Sequence, residues 1–349
     1  MLIYFLTSLY LWLTTQREEP SLTILSAKGR HPVVSTNANG DVDVVYGLGN
    51  LIYYTQSHDN GQTYAPAEVV DTLPNLFLVA GRRPQVASNH RVALILALNQ
   101  AGNIFAYVKD KKSGQWTKRI RVSDQPDVAK EGFVSLAPGP GNLFYAVWND
   151  LRGNAQNKVV GARSLDGGKT WSANQVLYES PDGSICPCCS PAIAIAGKHV
   201  YITFRNALAG NRDIYLLTSS DGGQRFDQPQ KLGLGSWKLD GCPMDGGGVS
   251  VAKPGHVVTA WRRENRIYKA EPGKPEQELA KGGKNITVAS NTLGDYVIWQ
   301  ADGKIWGITP KQRMPVAIGT GAFPRVAALP QGAICVWESD SGVLATILH

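Results

Sequence analysis

The sequence predicts an all-β chain that is built from repeated four-stranded units. Residues 57–64, 164–171 and 219–226 repeat one plan, Ser-x-Asp-x-Gly-x-(Thr/Arg)-aromatic, and each follows a run of β-branched, aromatic or aliphatic residues. The plan suits a tight hairpin, because the Asp side chain accepts backbone N–H bonds and Gly takes the φ > 0 conformation that other residues resist. The composition agrees, since 37 Gly and 20 Pro supply turns and an apolar share of 43% supplies a core. We call these segments the Ser-x-Asp hairpins.

The same cycle of strands recurs along the chain after residue 20. Each unit opens with a short apolar strand, often entered through Pro, and continues with a second strand that ends in an aromatic residue. A third strand leads to the hairpin and a short fourth strand follows. Units begin near residues 31, 83, 132, 190, 248, 285 and 323. Seven units are favoured, and six is the alternative because the last two are compact.

The seventh unit lacks a fourth strand of its own, while residues 21–26 form an apolar strand that belongs to no unit. If this N-terminal strand completes the last sheet, the ring closes without a long open edge. The sequence therefore predicts a single β-propeller domain over residues 21–349, with seven four-stranded blades closed by an N-terminal strand.

Residues 1–14 form an apolar run without a charge. The run is too short to span a bilayer comfortably and has the length of a signal-peptide apolar region. No Lys or Arg precedes it, and no small-x-small cleavage site follows it. We therefore predict that residues 1–20 are a leader, either a signal peptide or a membrane tether. The protein is expected to be exported, to the periplasm or out of the cell.

The formal charge of +7 is mild for 349 residues, and the basic residues are scattered apart from short pairs such as Arg82-Arg83 and Arg262-Arg263. A nucleic-acid binder would concentrate them in a stripe. We expect no nucleic-acid partner, no membrane contact beyond an N-terminal tether, no cofactor and a monomeric protein.

The direction of the strands determines on which face of a propeller each loop lies. The first strand of each unit starts on the face where the second strand ends, so these loops share one mouth. The Ser-x-Asp hairpins join third and fourth strands on the opposite face, so Asp59, Asp166 and Asp221 are predicted to be structural. The polar residues placed at the mouth are His31, Arg82, Arg83, Asn149, Asp150, Arg205, Arg262 and Glu338. They are typical of a ligand site, or alternatively they satisfy the hydrogen bonds of the central channel.

Four cysteines are predicted to meet at this mouth. Cys186, Cys188 and Cys189 enter the fourth unit, and Cys242 enters the fifth. In an exported protein, a disulfide between Cys242 and one of the other three is expected. It would close a loop of about fifty residues and stabilise the fold by roughly 4 kcal/mol.

Two thiols then remain. They could form a vicinal bond between Cys188 and Cys189, stay free, act in redox chemistry, or bind Cu(I) or Zn with help from Asp240, Asp245 or His31. The spacing Cys-x-Cys-Cys is not a standard zinc pattern, so no metal site is predicted. Cys335 lies within an apolar strand and is expected to be a core residue.

The repeated hairpin resembles the Asp box of the sialidase-like, BNR-repeat β-propellers, over nearly the whole chain after residue 20. Cys186-Pro-Cys-Cys189 and Gly241-Cys242-Pro243 also resemble a bacterial subgroup that pairs a Cys-x-Cys-Cys motif with a later Gly-Cys-Pro. Members of that subgroup are named as sialidases or glycosyl hydrolases. The resemblance implies a propeller fold and kinship with these proteins, and no particular reaction.

Sialidase chemistry, as implied by the resemblance, uses three arginines on the substrate carboxylate, a Tyr–Glu nucleophile and an Asp acid/base. Arg83, Arg205 and Arg262 could form the arginine triad, because guanidinium groups bind carboxylates in bidentate fashion. Asn149 and His31 are further binding candidates. No Tyr–Glu pair is identified, so the catalytic residues are unknown, with Asp150 and Glu338 as candidates. We expect binding of a glycan or protein at the cysteine-braced mouth; a glycoside hydrolase acting on an acidic sugar is the alternative.

Overall fold

The computed structural model describes residues 22–79, 81–253 and 255–349, which form seven four-stranded antiparallel sheets. No helix occurs among these residues, and accordingly none is long and apolar enough to cross a membrane. The all-β propeller fold is confirmed, and the number of blades is seven. The predicted leader, residues 1–20, lies outside the described residues.

The first described strand is β1 (Leu22–Ser26), and the blades then follow in sequence order. Blade 1 consists of β2 (Arg30–Thr36), β3 (Val42–Leu48), β4 (Leu51–Ser57) and β5 (Glu68–Thr72). Blade 2 consists of β6 (Gln85–Ser88), β7 (Val92–Leu98), β8 (Ile104–Asp110) and β9 (Ile120–Arg121). Blade 3 consists of β10 (Val134–Pro138), β11 (Phe144–Asp150), β12 (Lys158–Ser164) and β13 (Gln175–Tyr178).

The next three blades repeat this order. Blade 4 consists of β14 (Ala192–Ala196), β15 (His199–Arg205), β16 (Ile214–Ser219) and β17 (Gln230–Lys231). Blade 5 consists of β18 (Gly248–Lys253), β19 (His256–Arg263), β20 (Arg266–Ala270) and β21 (Gln277–Lys281). Blade 6 consists of β22 (Lys284–Asn291), β23 (Gly294–Ala301), β24 (Lys304–Ile308) and β25 (Val316–Thr320).

Blade 7 is completed by both ends of the chain. Its strands are β26 (Ala322–Leu329), β27 (Gly332–Ser339), β28 (Gly342–Leu348) and β1. The first strand, β1, runs antiparallel to β28, with Leu22 opposite Thr346 and Ser26 opposite Val343. The predicted closure is confirmed, and it covers the edge that β28 would otherwise leave open.

The core is divided into seven clusters of buried side chains, one between each pair of neighbouring blades. Because each sheet packs on both of its faces, the second strands are buried on both sides and read as continuous apolar runs. Trp148, Trp299 and Trp337 sit at equivalent points near the ends of such strands and are almost completely buried. These rings anchor the second strands close to the mouth.

The Ser-x-Asp hairpins lie on the face opposite the mouth, as predicted. In the hairpin that follows β12, Ser164 Oγ donates to Asp166 Oδ1 (2.8 Å) and accepts from the N–H of Gly168 (2.8 Å). The Asp166 carboxylate also accepts from the N–H of Thr170 (2.9 Å). Equivalent bonds occur in the hairpins of Asp59 and Asp221. These carboxylates are used within their own turns.

Candidate functional site

A cavity of about 210 Å³ lies in the central channel and is lined by the first strands of all seven blades. It has room for on the order of ten ordered waters, which is enough for a small polar ligand group. Its polar lining comes from residues at the starts of the first strands, where the mouth lies. These are chiefly Arg83, Ser190, Asp245, Asn285 and Arg325.

Three consecutive blades carry the same backbone distortion at the mouth. His31, Asn285 and Phe323 have φ angles of 51°, 55° and 55°, in the left-handed region that non-glycine residues rarely adopt. Each residue sits at a bulge in the pairing of a first strand with its second strand. Bulges re-aim side chains and occur next to functional sites. The strained backbone therefore marks this end of the channel, on blades 6, 7 and 1.

Arg83 and Arg325 supply two guanidinium groups to the cavity with few protein partners. Arg83 is 4% exposed, and its Nη1 lies 3.5 Å from the carbonyl of Phe323. Its Nε has no hydrogen-bond partner among the described residues. Arg325 Nη1 reaches only the carbonyl of Pro324, at 3.4 Å. Among the described residues, no carboxylate lies within ion-pair distance of either guanidinium, although Glu338 acts on Arg83 and Asp245 acts on Arg325 from farther away.

The pKa values of the two arginines reflect this lack of a close negative charge. Burial, and then the positive charge of Arg325, hold the pKa of Arg83 well below its ordinary value. Burial also lowers the pKa of Arg325 to about 10. A lowered arginine pKa means that the charged form is poorly stabilised, so a bound anion would relieve the cost of both charges.

Arg205 and Arg262 lie at another part of the mouth, against the ring of Trp237. Their Cζ atoms are 5.3 Å and 5.1 Å from its centroid. Arg205 is 1% exposed and donates to three backbone carbonyls, those of Asp245 (3.0 Å), Arg212 (2.5 Å) and Arg262 (2.9 Å). Its donors are therefore already occupied within the protein, in blades 4 and 5.

Asp245 supplies a buried carboxylate beside these arginines. Arg262 Nε lies 3.1 Å from Asp245 Oδ2, and Oδ1 accepts from the N–H of Asn285 (3.1 Å). Burial raises the pKa of Asp245 to about 6, although Arg205 and Arg262 act in the opposite direction. The carboxyl group can thus change protonation near neutral pH, inside the cavity.

His31 and Glu338 form a bridge across the closure of the ring. Glu338 accepts from the N–H of His31 (2.9 Å) and from Arg30 Nε (2.8 Å). The His31 ring packs edge-on against Phe323, with centroids 4.6 Å apart. Burial and the nearby arginines, Arg83 first among them, lower the pKa of His31 to about 3. His31 is therefore neutral at physiological pH.

Asn149 and Asp150 are fully buried at the end of β11. The Asn149 amide donates to the carbonyls of Pro187 and Cys189, both at 3.2 Å, and so supports the cysteine loop. Asp150 accepts from the indole N–H of Trp148 (2.7 Å) and pairs with Arg152 Nε (2.9 Å). Both side chains contact neighbouring protein groups rather than the cavity, which they do not line.

The cysteines form a compact cluster beside the cavity. Cys188 and Cys242 are joined by a disulfide, 54 residues apart in sequence, which confirms the predicted bond to Cys242. Cys186 and Cys189 are free and buried, with their sulfurs 3.5 Å apart. The vicinal Cys188–Cys189 bond is thus not formed. Cys335 is buried in the core, as expected, and burial raises its pKa.

The structure brings together some of the predicted residues but not all of them. Arg205 and Arg262 meet on Trp237, whereas Arg83 is grouped with Arg325. Sequence reasoning did not single out Arg325, and it considered Asp245 only as a helper for a metal. A signal for Arg325 exists, because Phe323-Pro324 opens its blade just as Arg83-Pro84 opens blade 2.

These features define a seven-bladed β-propeller with a cationic mouth, and solved propellers share its fold. It is similar to a Penicillium chrysogenum alpha-L-arabinanase complexed with arabinobiose, with a TM-score of 0.55 and 11% identity over 92% of this chain and 93% of that one. It is also similar to the GH93 alpha-L-arabinofuranosidase of Fusarium graminearum with arabinobiose, with a TM-score of 0.53 and 13% identity over 92% of this chain and 93% of that one. SapL1 lectin in complex with alpha methyl fucoside has a TM-score of 0.54 and 12% identity over 85% of this chain and 97% of that one.

Identities this low show the fold alone. No family model matches the chain, and no curated protein matches it.

Proposed function

We propose that this propeller binds a carboxylate-bearing glycan at the mouth of its central channel. The observation that carries the proposal is the pair Arg83 and Arg325, two guanidinium groups that line the cavity and have no carboxylate within ion-pair distance among the described residues. Guanidinium groups bind carboxylates through paired, charge-assisted hydrogen bonds, which are stronger than neutral ones.

The charge balance of the cavity favours an acidic ligand over a neutral one. Among the described lining residues, Asp245 is the only carboxyl group, and it pairs with Arg262. Glu338, the other nearby carboxylate, is held by Arg30 and by the backbone of His31. A ligand carboxylate would therefore supply the negative charge that Arg83 and Arg325 lack.

The comparisons support a sugar as the body of this ligand. The similar propellers include hydrolases complexed with arabinobiose and a lectin complexed with a fucoside. The fold thus presents carbohydrate sites in proteins of both kinds. The acidic character of the ligand rests on the arginines of this chain.

Hydrolysis of an acidic glycoside is the second candidate, and Asp245 is the observation that favours it. A carboxyl group with a pKa of about 6 could act as a general acid near neutral pH. Hydrolysis needs a second group, either another carboxylate or an activated tyrosine. The described lining residues contain neither, and Asp150 and Glu338 are engaged elsewhere. Binding is therefore our first choice.

We also propose that the protein acts outside the cytoplasm. Two features support this location, the apolar leader in the sequence and the disulfide that braces the mouth. Disulfides form and persist in oxidising compartments.

The test measures binding of acidic and neutral oligosaccharides by glycan array and then by calorimetry. Removing one guanidinium from a charge-assisted pair should weaken binding about ten- to hundred-fold in Arg83→Ala and Arg325→Ala. Arg225→Ala is the matched control, because Arg225 is exposed on the opposite face. Equal binding of neutral analogues, or unchanged affinity in both variants, would contradict the proposal. Release of product from a fluorogenic acidic glycoside by the wild type, lost in Asp245→Asn, would establish the hydrolase instead.

A further inference from the structure

Four cysteine sulfurs are gathered at the mouth, where Cys188 also lines the cavity, and the proposed binding of a carboxylate makes no use of their chemistry. Cys186 Sγ lies 3.6 Å from Cys188 Sγ and 3.5 Å from Cys189 Sγ, and Cys188 is bonded to Cys242. Cys188 and Cys189 are themselves 3.9 Å apart at sulfur. A structural brace needs only one disulfide. Here two reduced thiols lie in contact with it.

The two free thiols differ in acidity. A hydrogen bond from Cys189 lowers the pKa of Cys186 to about 7, with further help from the charges of Arg205 and Arg212, although burial opposes this. Burial raises the pKa of Cys189 well above its ordinary value. Cys186 is therefore the more acidic thiol and is partly ionised at neutral pH, and the thiolate is the attacking species in thiol–disulfide exchange. Cys189 keeps its proton and stabilises that thiolate.

The cluster is also asymmetric in its access to solvent. Cys186, Cys188 and Cys189 are only 1%, 5% and 2% exposed, whereas Cys242 lies on the surface. A reagent or partner in solution reaches the bond at Cys242. From inside, the neighbouring thiols reach Cys188.

We propose that these four cysteines form a thiol–disulfide exchange centre, in which the bond moves between the Cys188–Cys242 and Cys186–Cys189 pairs. The proposal rests on the sulfur contacts and on the buried and exposed ends of the cluster. It is independent of what the cavity binds.

The exchange balances without an external oxidant or reductant. The Cys186 thiolate attacks Cys188 Sγ, the Cys186–Cys188 bond forms, and Cys242 leaves as a thiolate. Cys242 takes up the proton that Cys189 gives up, through solvent. The Cys189 thiolate then attacks Cys186 Sγ, forms the Cys186–Cys189 bond and expels Cys188, which takes up the proton lost by Cys186 at the start. One disulfide and two thiols are present before and after.

The move has a structural consequence at the mouth. Cys242 ties down the segment that also contains Met244, Asp245 and Gly246, three of the residues that line the cavity. Exchange would release this segment from Cys188 and expose a reduced thiol on the surface. The position of the disulfide would thus be linked to the shape of the cavity.

The first experiment maps disulfides in the wild-type protein, purified without reductant and equilibrated at pH 7 in glutathione buffers of graded ratio. Samples are quenched with acid, alkylated, digested and analysed by mass spectrometry. We expect Cys188–Cys242 together with an isomer that contains Cys186. Cys335 serves as the internal check, because this core thiol should stay out of every disulfide as long as the protein is folded during equilibration. Finding Cys188–Cys242 as the only internal disulfide at every ratio would overturn the proposal.

The second experiment follows alkylation of Cys242 without added thiol. Exchange frees Cys242, so Cys186→Ser should slow its labelling at least ten-fold. In Cys189→Ser the first step remains, and Cys242 should still be labelled, through the Cys186–Cys188 isomer. Equal rates in wild type and Cys186→Ser would contradict the proposal. If labelling of Cys335 shows that a variant is unfolded, the wild-type map decides alone.

Discussion

Arg262 Nε lies 3.1 Å from Asp245 Oδ2, so a cation from blade 5 faces a carboxyl group on the loop that enters the same blade. Asp245 is buried and Arg262 is partly exposed, and burial prevails over the arginines in setting the pKa of Asp245 at about 6. This balance makes the mouth sensitive to pH in two measurable ways.

The first concerns stability. The pKa of Asp245 is higher in the folded state than its ordinary value of 3.8, so the native protein holds this proton more tightly than the unfolded chain. The resulting stabilisation is present below pH 4 and is lost as the pH rises to about 6, by about 3 kcal/mol at most. The unfolding free energy of the wild type relative to Asp245→Asn, measured with denaturant, should therefore fall as the pH rises from about 4 to about 6. A difference that grows in favour of the wild type over that range would contradict the assignment.

The second concerns ligand affinity. Protonation of Asp245 removes a negative charge from the cavity, so a carboxylate that stays ionised should bind more tightly as the pH falls from 7 to 5. At an effective dielectric constant near 20, one charge about 10 Å away is worth about 1.7 kcal/mol. Because Asp245 titrates incompletely between pH 7 and 5, the expected gain in affinity over this range is about three- to ten-fold. His31 contributes nothing here, because its pKa of about 3 keeps it neutral throughout. Calorimetry across this range should give a steeper slope for the wild type than for Asp245→Asn, in which Cys186, with a pKa of about 7, still titrates.

Alanine substitution should change the unfolding free energy differently at Arg205 and at Arg83. Arg205→Ala leaves one buried and two partly buried carbonyls without their donor and removes the cation from Trp237, so it should cost about 3 kcal/mol or more of unfolding free energy. Arg83→Ala removes a poorly neutralised charge and should cost little stability or even increase it. Chemical denaturation of both variants tests this contrast. A larger loss in Arg83→Ala than in Arg205→Ala would reverse our assignment of roles.

A matched pair of glycines tests the hairpins that face away from the mouth. Gly222 and Gly223 have φ angles of 76° and 78°, so alanine is strained at both. A Cβ at Gly222 meets nothing within 4 Å, whereas one at Gly223 would come within 2.3 Å of the Tyr145 ring in the preceding blade. We expect Gly222→Ala to cost about 1 kcal/mol and Gly223→Ala to cost about 2–4 kcal/mol more, by thermal unfolding. Equal losses would mean that the hairpin does not contribute to blade packing.

Much of the fold could be predicted because its causes are local and repeated. The hairpin residues determine the phase of the strands, and that phase places the mouth opposite Asp59, Asp166 and Asp221. The orphan strand at residues 21–26 predicted the closure that the pairing of Leu22 with Thr346 confirms. The same phase placed Cys188 and Cys242 on adjacent loops, where their disulfide forms.

The partners of the mouth side chains could not be read in the same way. Arg205 ends a second strand and Arg83 precedes a first strand, so their sequence positions are equivalent at the mouth. Backbone carbonyls nevertheless satisfy the guanidinium of Arg205 and leave that of Arg83 with a single long contact. Those carbonyls belong to loops distant in sequence, around Asp245 and Phe323. The left-handed conformation of His31 and Phe323 depends on bulges that no residue pattern in the sequence predicts.

The strand that closes the ring also fixes how the protein would be presented to its surroundings. From the pairing of β1 with β28, Leu22 and Leu348 both lie at the face of the Ser-x-Asp hairpins. Whatever is joined to either end, whether a natural anchor or an affinity tag, therefore attaches behind the mouth. A molecule held to a surface by its N-terminus would direct Arg83 and Arg325 outward, toward ligands arriving from solution.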